Sequence, residues 1–402
     1  MGLVYTYYYD GGDTFVFFQD AGQLANLGLR SPVDFGRVLL FDQYPDETLP
    51  SLLVYEQEPR SFFLIKILSV VTMATFQSYW LSGLYFSLFS FWGMWRLANT
   101  LARAFPGTQL AAALAFLFFP SVVFWSAGVM KESLALGVIG LVTAWWLSAL
   151  LRQEPWKTRR SFGPMLFCPL LLLVLWKLKY YYFAVYLPCL LAGGLLLLLH
   201  RRSKPRSRWI WVCLFFLLLA GLTGLITRLH PNLALNYFLE VLVQNHDALY
   251  ALSKADNRIE YDQLQPTVTS FLQNLPLALT SGLLRPFLGA WNKTMQWMNG
   301  FENLFLLLLA CTSLFRIWQK KGLRLSQEAW ILSGTAGLYI LILAALLAFS
   351  TPNFGTLTRY KVAFLPFMIY LLANGAGLQR IPSDRVGIQR PPAQLSIGGR
   401  KF

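Results

Sequence analysis

Long apolar runs are the feature that most limits what this chain can fold into. Stretches of roughly 17–22 residues with few or no charges recur along it, and about 20 such residues in a helix cross a bilayer core. Of the 402 residues, 56% are hydrophobic and only 13% are charged, whereas about a quarter are charged in a soluble domain. The sequence therefore predicts an all-α, polytopic integral membrane protein with about nine transmembrane helices plus interfacial helices in its outside loops.

The predicted spans divide the chain into five parts. The spans cover residues 79–98, 109–125, 132–151, 163–178, 183–200, 208–227, 301–317, 328–349 and 362–378. The parts are 1–78, an outside acidic loop with an interfacial helix; 79–227, a six-helix membrane part; 228–300, an outside cap loop; 301–378, a three-helix membrane part; and 379–402, a cytoplasmic tail. The tail is rich in Pro, Gly, Arg and Ser, so we expect it to be disordered.

The basic residues predict how the chain is oriented. Lys and Arg cluster at 152–160, 201–208, 316–324 and 380–390. These clusters alternate correctly if all face the cytoplasm, as the positive-inside bias requires. The N-terminus is then outside and the C-terminus is cytoplasmic, in a bacterial inner (plasma) membrane. The same bias explains the net charge of +15, so no nucleic-acid partner is expected.

The first 78 residues are an unusual start for a membrane protein, because they are acidic and no apolar span precedes them. Such a segment does not usually cross a bilayer without a signal or a leading span. The sequence therefore predicts that a native first span is missing from this chain, through a truncated or wrongly assigned start. Alternatively, residues 62–77 form a tenth span, which Lys66 would interrupt. An interfacial or re-entrant helix is the preferred interpretation.

The first candidate site is the run Tyr9-Asp10-Gly11-Gly12-Asp13-Thr14. Its glycines permit a tight backbone, which would present the carboxylates of Asp13 and Asp10 at the bilayer surface. A carboxylate there can act as a general base for a sugar hydroxyl or bind a divalent cation that holds a phosphate. The structural alternative is an Asx-turn leading into an amphipathic helix.

Basic residues at outside ends of predicted spans form the second group. Lys131 and Glu132 begin the third span, and the helix dipole favours Glu132 but not Lys131. Arg359 and Lys361 follow the Asn-Phe-Gly-Thr segment before the last span. Arg binds phosphate through two donors and Lys binds it as a point charge. Interfacial snorkelling is the alternative.

Two further basic segments lie on the predicted outside face. Arg285 belongs to an Arg-Pro-Phe segment and is a candidate phosphate ligand. Lys177 and Lys179 lie in the aromatic run Trp-Lys-Leu-Lys-Tyr-Tyr-Tyr, which is typical of an interfacial belt and could also contact a headgroup. The four cysteines show no Cys-x-x-Cys spacing, so neither a zinc site nor a disulfide framework is predicted. A metal site is left undetermined.

Together these segments resemble a known family. The early Asp motif, the Pro…Phe-Trp-Ser-x-Gly-x-x-Lys-Glu turn, the Arg-Pro-Phe segment and the Asn-Phe-Gly-Thr-x-x-Arg-Tyr-Lys loop look like bacterial membrane proteins of exopolysaccharide and envelope glycan assembly. These are similar to GT-C-fold glycosyltransferases, which use polyprenyl-phosphate-linked sugars. The resemblance covers about residues 5–378. It implies a catalytic carboxylate in the first outside loop, for which Asp13 fits best and Asp10 second.

The resemblance leads to three hypotheses about function. In the first, an inverting glycosyltransferase at the outer face moves a sugar from a polyprenyl-phosphate donor to a glycan or lipid acceptor. In the second, the protein is an O-antigen-type polysaccharide polymerase or ligase. In the third, it transports a lipid or solute without chemistry, although charges near the span centres, common in transporters, are scarce. No cofactor is indicated beyond a divalent cation, which the Asp-Gly-Gly-Asp spacing leaves open.

Overall fold

A computed structural model describes residues 1–8, 11–151, 162–202, 208–229, 234–254, 257–287, 294–319 and 325–378. Within these ranges the chain is helical, apart from an isolated antiparallel bridge between Arg258 and Asn353. The predicted all-α class is therefore confirmed for the described residues. Asp10 and the tail 379–402 lie outside them.

The helices are numbered in chain order. They are α1 (Gly2–Tyr7), α2 (Asp13–Arg30), α3 (Pro32–Phe41), α4 (Thr48–Ser51), α5 (Pro59–Ala74), α6 (Tyr79–Ala104), α7 (Gln109–Ala113), α8 (Pro120–Trp125), α9 (Lys131–Leu150), α10 (Phe162–Arg202), α11 (Arg208–Leu229), α12 (Leu235–Leu252), α13 (Val268–Leu284), α14 (Thr294–Trp318), α15 (Gln327–Ser350), α16 (Phe354–Lys361) and α17 (Leu365–Gly375). A π-helical turn, Leu114–Phe118, extends α7.

Some of the described helices are long and apolar enough to cross a membrane. Four meet this condition, namely Lys131–Leu150, Leu166–Arg202, Trp297–Trp318 and Gln327–Ser350. The helices α5 and α6, which join at a bend of 116°, meet it together, and they form either a broken span, which would be the fifth, or a re-entrant loop. Membrane association is thus supported by the fold, whereas the number of nine spans stays a prediction.

The helix α10 joins two segments that the sequence predicts as separate spans. It runs over 41 residues, with a single non-helical residue, Lys179 (φ −148°, ψ 69°). The predicted turn at 177–182 is therefore a break inside one helix. Because regular helical geometry is lost at Lys179, its side chain leaves the direction of its neighbours and enters the bundle, where it is only 3% exposed.

The described part of residues 1–78 forms five helices, α1 to α5, where the sequence predicts a loop with one interfacial helix. The position of this segment outside the membrane stays a prediction. Ala21, Leu24 and Gly28 form the buried stripe of α2 at helical spacing, and α2 packs along α5. The acidic residues are compatible with helices because several lie at helix starts, where the dipole favours them. Asp13 is in the first turn of α2, and Asp34 is in that of α3.

The helices α6 and α9 form the closest contact of the membrane part. A Cβ built on Gly93 would lie 2.8 Å from the Cα of Gly137, and one built on Gly140 would lie 2.5 Å from the carbonyl carbon of Gly93. Small residues at such positions let two helix backbones approach closely inside a bilayer. The opposite face of α6 exposes large apolar side chains, consistent with lipid contact: Trp80, Leu84, Leu88, Phe91 and Trp95.

Candidate functional site

The start of α2 is positioned by two glycines. Gly11 (φ 130°) and Gly12 (φ 153°) adopt positive φ angles that other residues rarely reach. A side chain at Gly12 would also collide with the ring of Tyr5. The predicted tight backbone is therefore present, and it brings Tyr5 of α1 against the beginning of α2, directly before Asp13.

Three charged side chains from distant parts of the sequence meet next to Asp13. Lys179 Nζ donates to Glu132 Oε1 at 2.8 Å. Arg359 Nε lies 3.6 Å from the same oxygen, and Arg359 Nη1 lies 3.4 Å from Asp13 Oδ2. One charge thus comes from each of four places: the start of α2, the start of α9, the break in α10, and α16. The two negative and two positive formal charges sum to zero.

Burial differs sharply across this charge cluster. Glu132 and Lys179 are 2% and 3% exposed, whereas the Asp13 side chain is 48% exposed and that of Arg359 is 19% exposed. A buried ion pair is stable only with close geometry and further hydrogen bonds. The Glu132–Lys179 pair is therefore a fixed internal feature. The Asp13 side chain, by contrast, is half-exposed and accessible from outside the bundle.

Tyrosines complete the surroundings of the charge cluster. Lys179 Nζ lies 3.7 Å from the centre of the Tyr360 ring, and the Tyr182 hydroxyl donates to the Tyr360 carbonyl at 2.9 Å. Burial raises the pKa of Tyr360, but the charges of Lys179 and Arg359 outweigh it and lower that pKa to about 8. Burial also raises the pKa of Tyr5, which keeps its hydroxyl protonated.

Arg359 is positively charged, and its guanidinium N–H donors are only partly used in hydrogen bonds. Burial works against the charged form, but the Glu132 carboxylate outweighs it and raises the pKa of Arg359. Its contacts with Asp13 and Glu132 are longer than the 2.7–2.9 Å typical of strong charge-assisted bonds. Nε has no hydrogen-bond partner among the described residues. The guanidinium can therefore accept an additional anion without breaking a tight pair.

A cavity of about 1170 Å³ adjoins the charge cluster. Tyr5, Gly11, Gly12 and Arg359 form part of its wall. The facing side is apolar and aromatic, and it is formed by the π-helical turn and α8, with Leu117, Phe118, Val123, Phe124 and Trp125. A cavity that combines a cationic end with an apolar wall suits an amphiphile that has an anionic headgroup.

Lys131 does not take the role predicted for it beside Asp13. Its Nζ donates to Ser61 Oγ at 2.7 Å and lies 5.4 Å from the centre of the Phe17 ring. Ser61 in turn donates to Glu58 at 2.9 Å. Because α9 begins against α5, the first side chain of α9 points into the N-terminal helices. Lys131 therefore joins those helices to α9, whereas its neighbour Glu132 enters the charge cluster.

Lys361 and Arg285 were also predicted to bind phosphate, and the structure gives the two side chains different surroundings. Lys361 is 3% exposed, and its Nζ donates to the carbonyls of Leu283 and Arg285 and to Asn303 Oδ1 at 3.1–3.2 Å. Burial lowers the pKa of Lys361 to about 7, against the charge of Glu302. The three N–H donors of Lys361 are all used by these oxygens, so none is left for a phosphate. Arg285 stacks near Phe354, 5.9 Å from the ring centre, at the cavity edge.

The break in α10 gives the last two predicted residues, Lys177 and Lys179, different surroundings. Lys179 is buried in the charge cluster, whereas Lys177 is exposed on the surface of the same helix. Among the described residues, no group of three or more His, Cys, Asp or Glu side chains is arranged to hold a metal ion. Use of a divalent cation therefore has no specific support here.

Two components of the site were missed at the sequence level. Tyr55 donates to Asp13 Oδ1 at 3.4 Å, and Glu302 of α14 lines the cavity. Glu302 is an acidic residue inside a predicted span, which was a usable signal because such residues are rare and usually functional. Nothing in the residues around Tyr55 distinguishes it from other interfacial tyrosines.

No family model, curated protein or solved structure matches this chain. Its function is therefore inferred from the geometry of the charge cluster and of the cavity beside it.

Proposed function

We propose that this protein is a membrane glycosyltransferase that transfers a sugar from a polyprenyl-phosphate-linked donor to a glycan or lipid acceptor at the outer face. The observation that carries the proposal is the position of Arg359. It lies at the polar end of an amphipathic cavity, with a half-exposed carboxylate, Asp13, 3.4 Å away. A cation for the phosphate and a base for the acceptor are thus neighbours.

In the proposed reaction, the donor phosphate binds Arg359 and the prenyl chain lies along the apolar wall formed by the π-helical turn and α8. Asp13 removes the proton of the acceptor hydroxyl, and the oxygen attacks the anomeric carbon. A new bond forms between that carbon and the acceptor oxygen while its bond to the phosphate oxygen breaks. Polyprenyl phosphate leaves with an added negative charge that Arg359 stabilises, and the configuration at the anomeric carbon is inverted.

Each partner of Arg359 has a distinct part in this proposal. Glu132 holds the guanidinium from the buried side, and Lys179 compensates the charge of Glu132 there. Tyr55 and Arg359 orient the Asp13 carboxylate. When phosphate binds Arg359, the 3.4 Å contact to Asp13 weakens, which leaves the carboxylate oxygen available to the acceptor hydroxyl.

A polysaccharide polymerase or ligase is the second candidate, and the position of Arg285 favours it. Arg285 stacks near Phe354, and Phe354 and Pro286 both line the cavity. A second arginine at the cavity edge could hold a second lipid-linked phosphate, as polymerisation of two lipid-linked glycans requires. The length of the product distinguishes the two functions, because a transferase of the first kind adds a single sugar.

The binding step can be tested with undecaprenyl phosphate as the probe and the full chain in lipid nanodiscs. We expect the wild type to bind this lipid, and undecaprenol, which lacks the phosphate, to bind at least tenfold more weakly. Arg359→Leu should lower the affinity for undecaprenyl phosphate by about tenfold or more, because one charge-assisted contact contributes about 1.5–3 kcal/mol.

The matched control is Arg37→Leu, since the Arg37 side chain is 60% exposed and, among the described residues, forms an ion pair with Asp34 alone, at 3.2 Å. This variant should bind as the wild type does. Equal binding of undecaprenyl phosphate by the wild type and Arg359→Leu would show that Arg359 is not the phosphate ligand.

A further inference from the structure

Glu302 is a carboxylate that the proposed reaction does not use. It lies on α14, within the candidate span Trp297–Trp318, and lines the cavity that contains Arg359. Charged groups in such spans are rare and are usually paired or functional. No Lys or Arg of the described ranges is within ion-pair distance of Glu302, and nearby Lys361 gives its donors to other oxygens.

Ser121 fixes the orientation of this carboxylate. The Ser121 backbone N–H donates to Glu302 Oε1 at 2.8 Å, and its hydroxyl donates to Oε2 in a short hydrogen bond. Two carboxylate oxygens offer about four acceptor positions, and Ser121 fills one on each oxygen. The carboxylate is therefore held rigidly at the cavity wall while each oxygen keeps an acceptor position for a ligand.

The side chains beside Glu302 identify the chemical class of that ligand. Asn299 lies one helical turn earlier on α14 and also lines the cavity, so the amide and the carboxylate share one helix face. Trp125 lines the same cavity, and its ring is 4.9 Å from that of Phe124. Hydrogen-bond acceptors beside a flat indole match a sugar ring, which has hydroxyl donors at its edge and C–H groups on its faces.

A cationic ligand fits this cavity less well. Arg359 is part of the same wall, so the formal charges of Glu302 and Arg359 cancel. The cavity therefore has no excess negative charge to attract a cation, whereas a neutral polyhydroxylated ring can use both groups.

We propose that Glu302, Asn299 and Trp125 bind the sugar ring of the substrate. Glu302 accepts hydrogen bonds from ring hydroxyls, Asn299 adds an amide contact, and Trp125 stacks on the C–H face. This inference rests on the proposed function, since it places the transferred or accepting sugar in the cavity beside Asp13 and Arg359. Glu302 acts here as a binding residue, and the role of base stays with Asp13.

The test is saturation-transfer NMR on the full chain in nanodiscs, with the methyl glycosides of glucose, galactose, mannose and N-acetylglucosamine as probes. We expect the wild type to bind at least one of them. Glu302→Gln should weaken that binding about tenfold, because it removes the charge but keeps an acceptor for the Ser121 N–H. Trp125→Leu should weaken it as well, and it leaves no buried polar group unpaired.

The control is Glu260→Gln, whose side chain is 64% exposed and pairs with Arg258; its affinity should equal that of the wild type. Thermal unfolding identifies any variant that fails to fold. If Glu302→Gln does not fold, glycoside binding by Trp125→Leu serves as the test. The inference is overturned if the wild type binds none of the glycosides. It is also overturned if a folded Glu302→Gln variant binds them with wild-type affinity. If that variant does not fold, wild-type affinity in Trp125→Leu has the same meaning.

Measurements with undecaprenyl phosphate separate this inference from the proposed function. Glu302→Gln should bind that lipid at least as tightly as the wild type does, because the probe has no sugar and the change removes a negative charge from the cavity. Suppose that Arg359→Leu no longer binds undecaprenyl phosphate while Glu302→Gln binds the glycosides with full affinity. The assignment of the sugar site is then wrong, and the assignment of the phosphate site remains. If glycoside binding depends on Glu302 but the lipid does not bind, the sugar site stands and the proposed function fails.

Discussion

At the scale of single residues, the Glu132–Lys179 pair organises the site. Both side chains are almost fully buried, and their 2.8 Å contact holds the carboxylate that faces Arg359. Pairs of this kind give little net stability compared with apolar residues, but removal of one partner leaves a buried charge behind. The pair therefore contributes mainly by fixing the geometry around Arg359.

The prediction for this pair concerns the free energy of unfolding in mixed micelles. Glu132→Gln should lower it by about 3–5 kcal/mol, because two buried cations lose their counter-charge. Lys179→Met should cost less, since Arg359 remains beside Glu132. The loss of unfolding free energy in the double variant should be smaller than the sum of the two single losses, by a coupling energy of about 1–3 kcal/mol. Additive losses would mean that the two charges do not interact.

The sequence suggested some of these residues as candidates. Asp13 and Arg359 were both candidates, and they lie 3.4 Å apart. It could not separate Lys361 from Arg359, although the two are only two positions apart on α16. Their side chains leave this short helix in different directions, towards the end of α13 and towards the cavity. That difference depends on which helices surround α16, and the local sequence does not contain this information.

At the scale of elements, the contact between α6 and α9 positions the charge cluster. Glu132 is in the first turn of α9, so its distance from Arg359 and Lys179 depends on where α9 lies in the bundle. The glycines Gly93, Gly137 and Gly140 set that position, because at these points the two backbones pack without side chains between them. A larger residue would push α9 away from α6.

Gly93→Val is therefore expected to destabilise the protein by more than about 3 kcal/mol, since overpacking a tight contact costs about 1–3 kcal/mol and here the neighbour is backbone. Thermal unfolding of the purified protein measures the effect. The matched control is Gly334→Ala on α15, where an added methyl meets nothing within 4 Å. Similar unfolding temperatures for the two variants would disprove the close helix contact.

Sequence periodicity located most helices but not their breaks. The apolar runs predicted α9 and α15 to within one residue at each end, whereas α6 ends six residues later and α14 begins seven residues earlier than predicted. In residues 1–78, the helix predicted over 62–77 corresponds to α5, whereas α1 to α4 were not predicted, because the acidic residues obscured the buried stripe of α2. In α10, a predicted turn proved to be one non-helical residue, Lys179. Its conformation is maintained by the ion pair with Glu132, a contact between residues far apart in sequence.

At the scale of the whole molecule, the proposed function requires the charge cluster to face the outside. The start of α9 and the N-terminal helices must then lie on one side of the bilayer, and the end of α14 on the other. We expect this orientation from the positive-inside bias, because basic residues gather around the end of α14.

Cysteine labelling of intact bacterial cells tests the orientation. In a background without Cys168, Cys189, Cys213 and Cys311, Glu47→Cys should react with an impermeant maleimide. Gln319→Cys, at an exposed position after α14, should react only after the cells are lysed. Labelling with the reverse pattern would place the cluster on the cytoplasmic side and contradict an outer-face enzyme.

The proposed reaction depends most on Asp13 as the base, and one measurement tests this role directly. The full chain is reconstituted in vesicles with radiolabelled polyprenyl-phosphate-linked sugars and a membrane glycan extract, and sugar transfer is compared between the wild type and Asp13→Asn. Asparagine keeps the size of the side chain but cannot accept the proton, so we expect transfer to fall by about 10²–10⁴-fold, with undecaprenyl phosphate still bound. Near-normal transfer by Asp13→Asn would contradict the assignment.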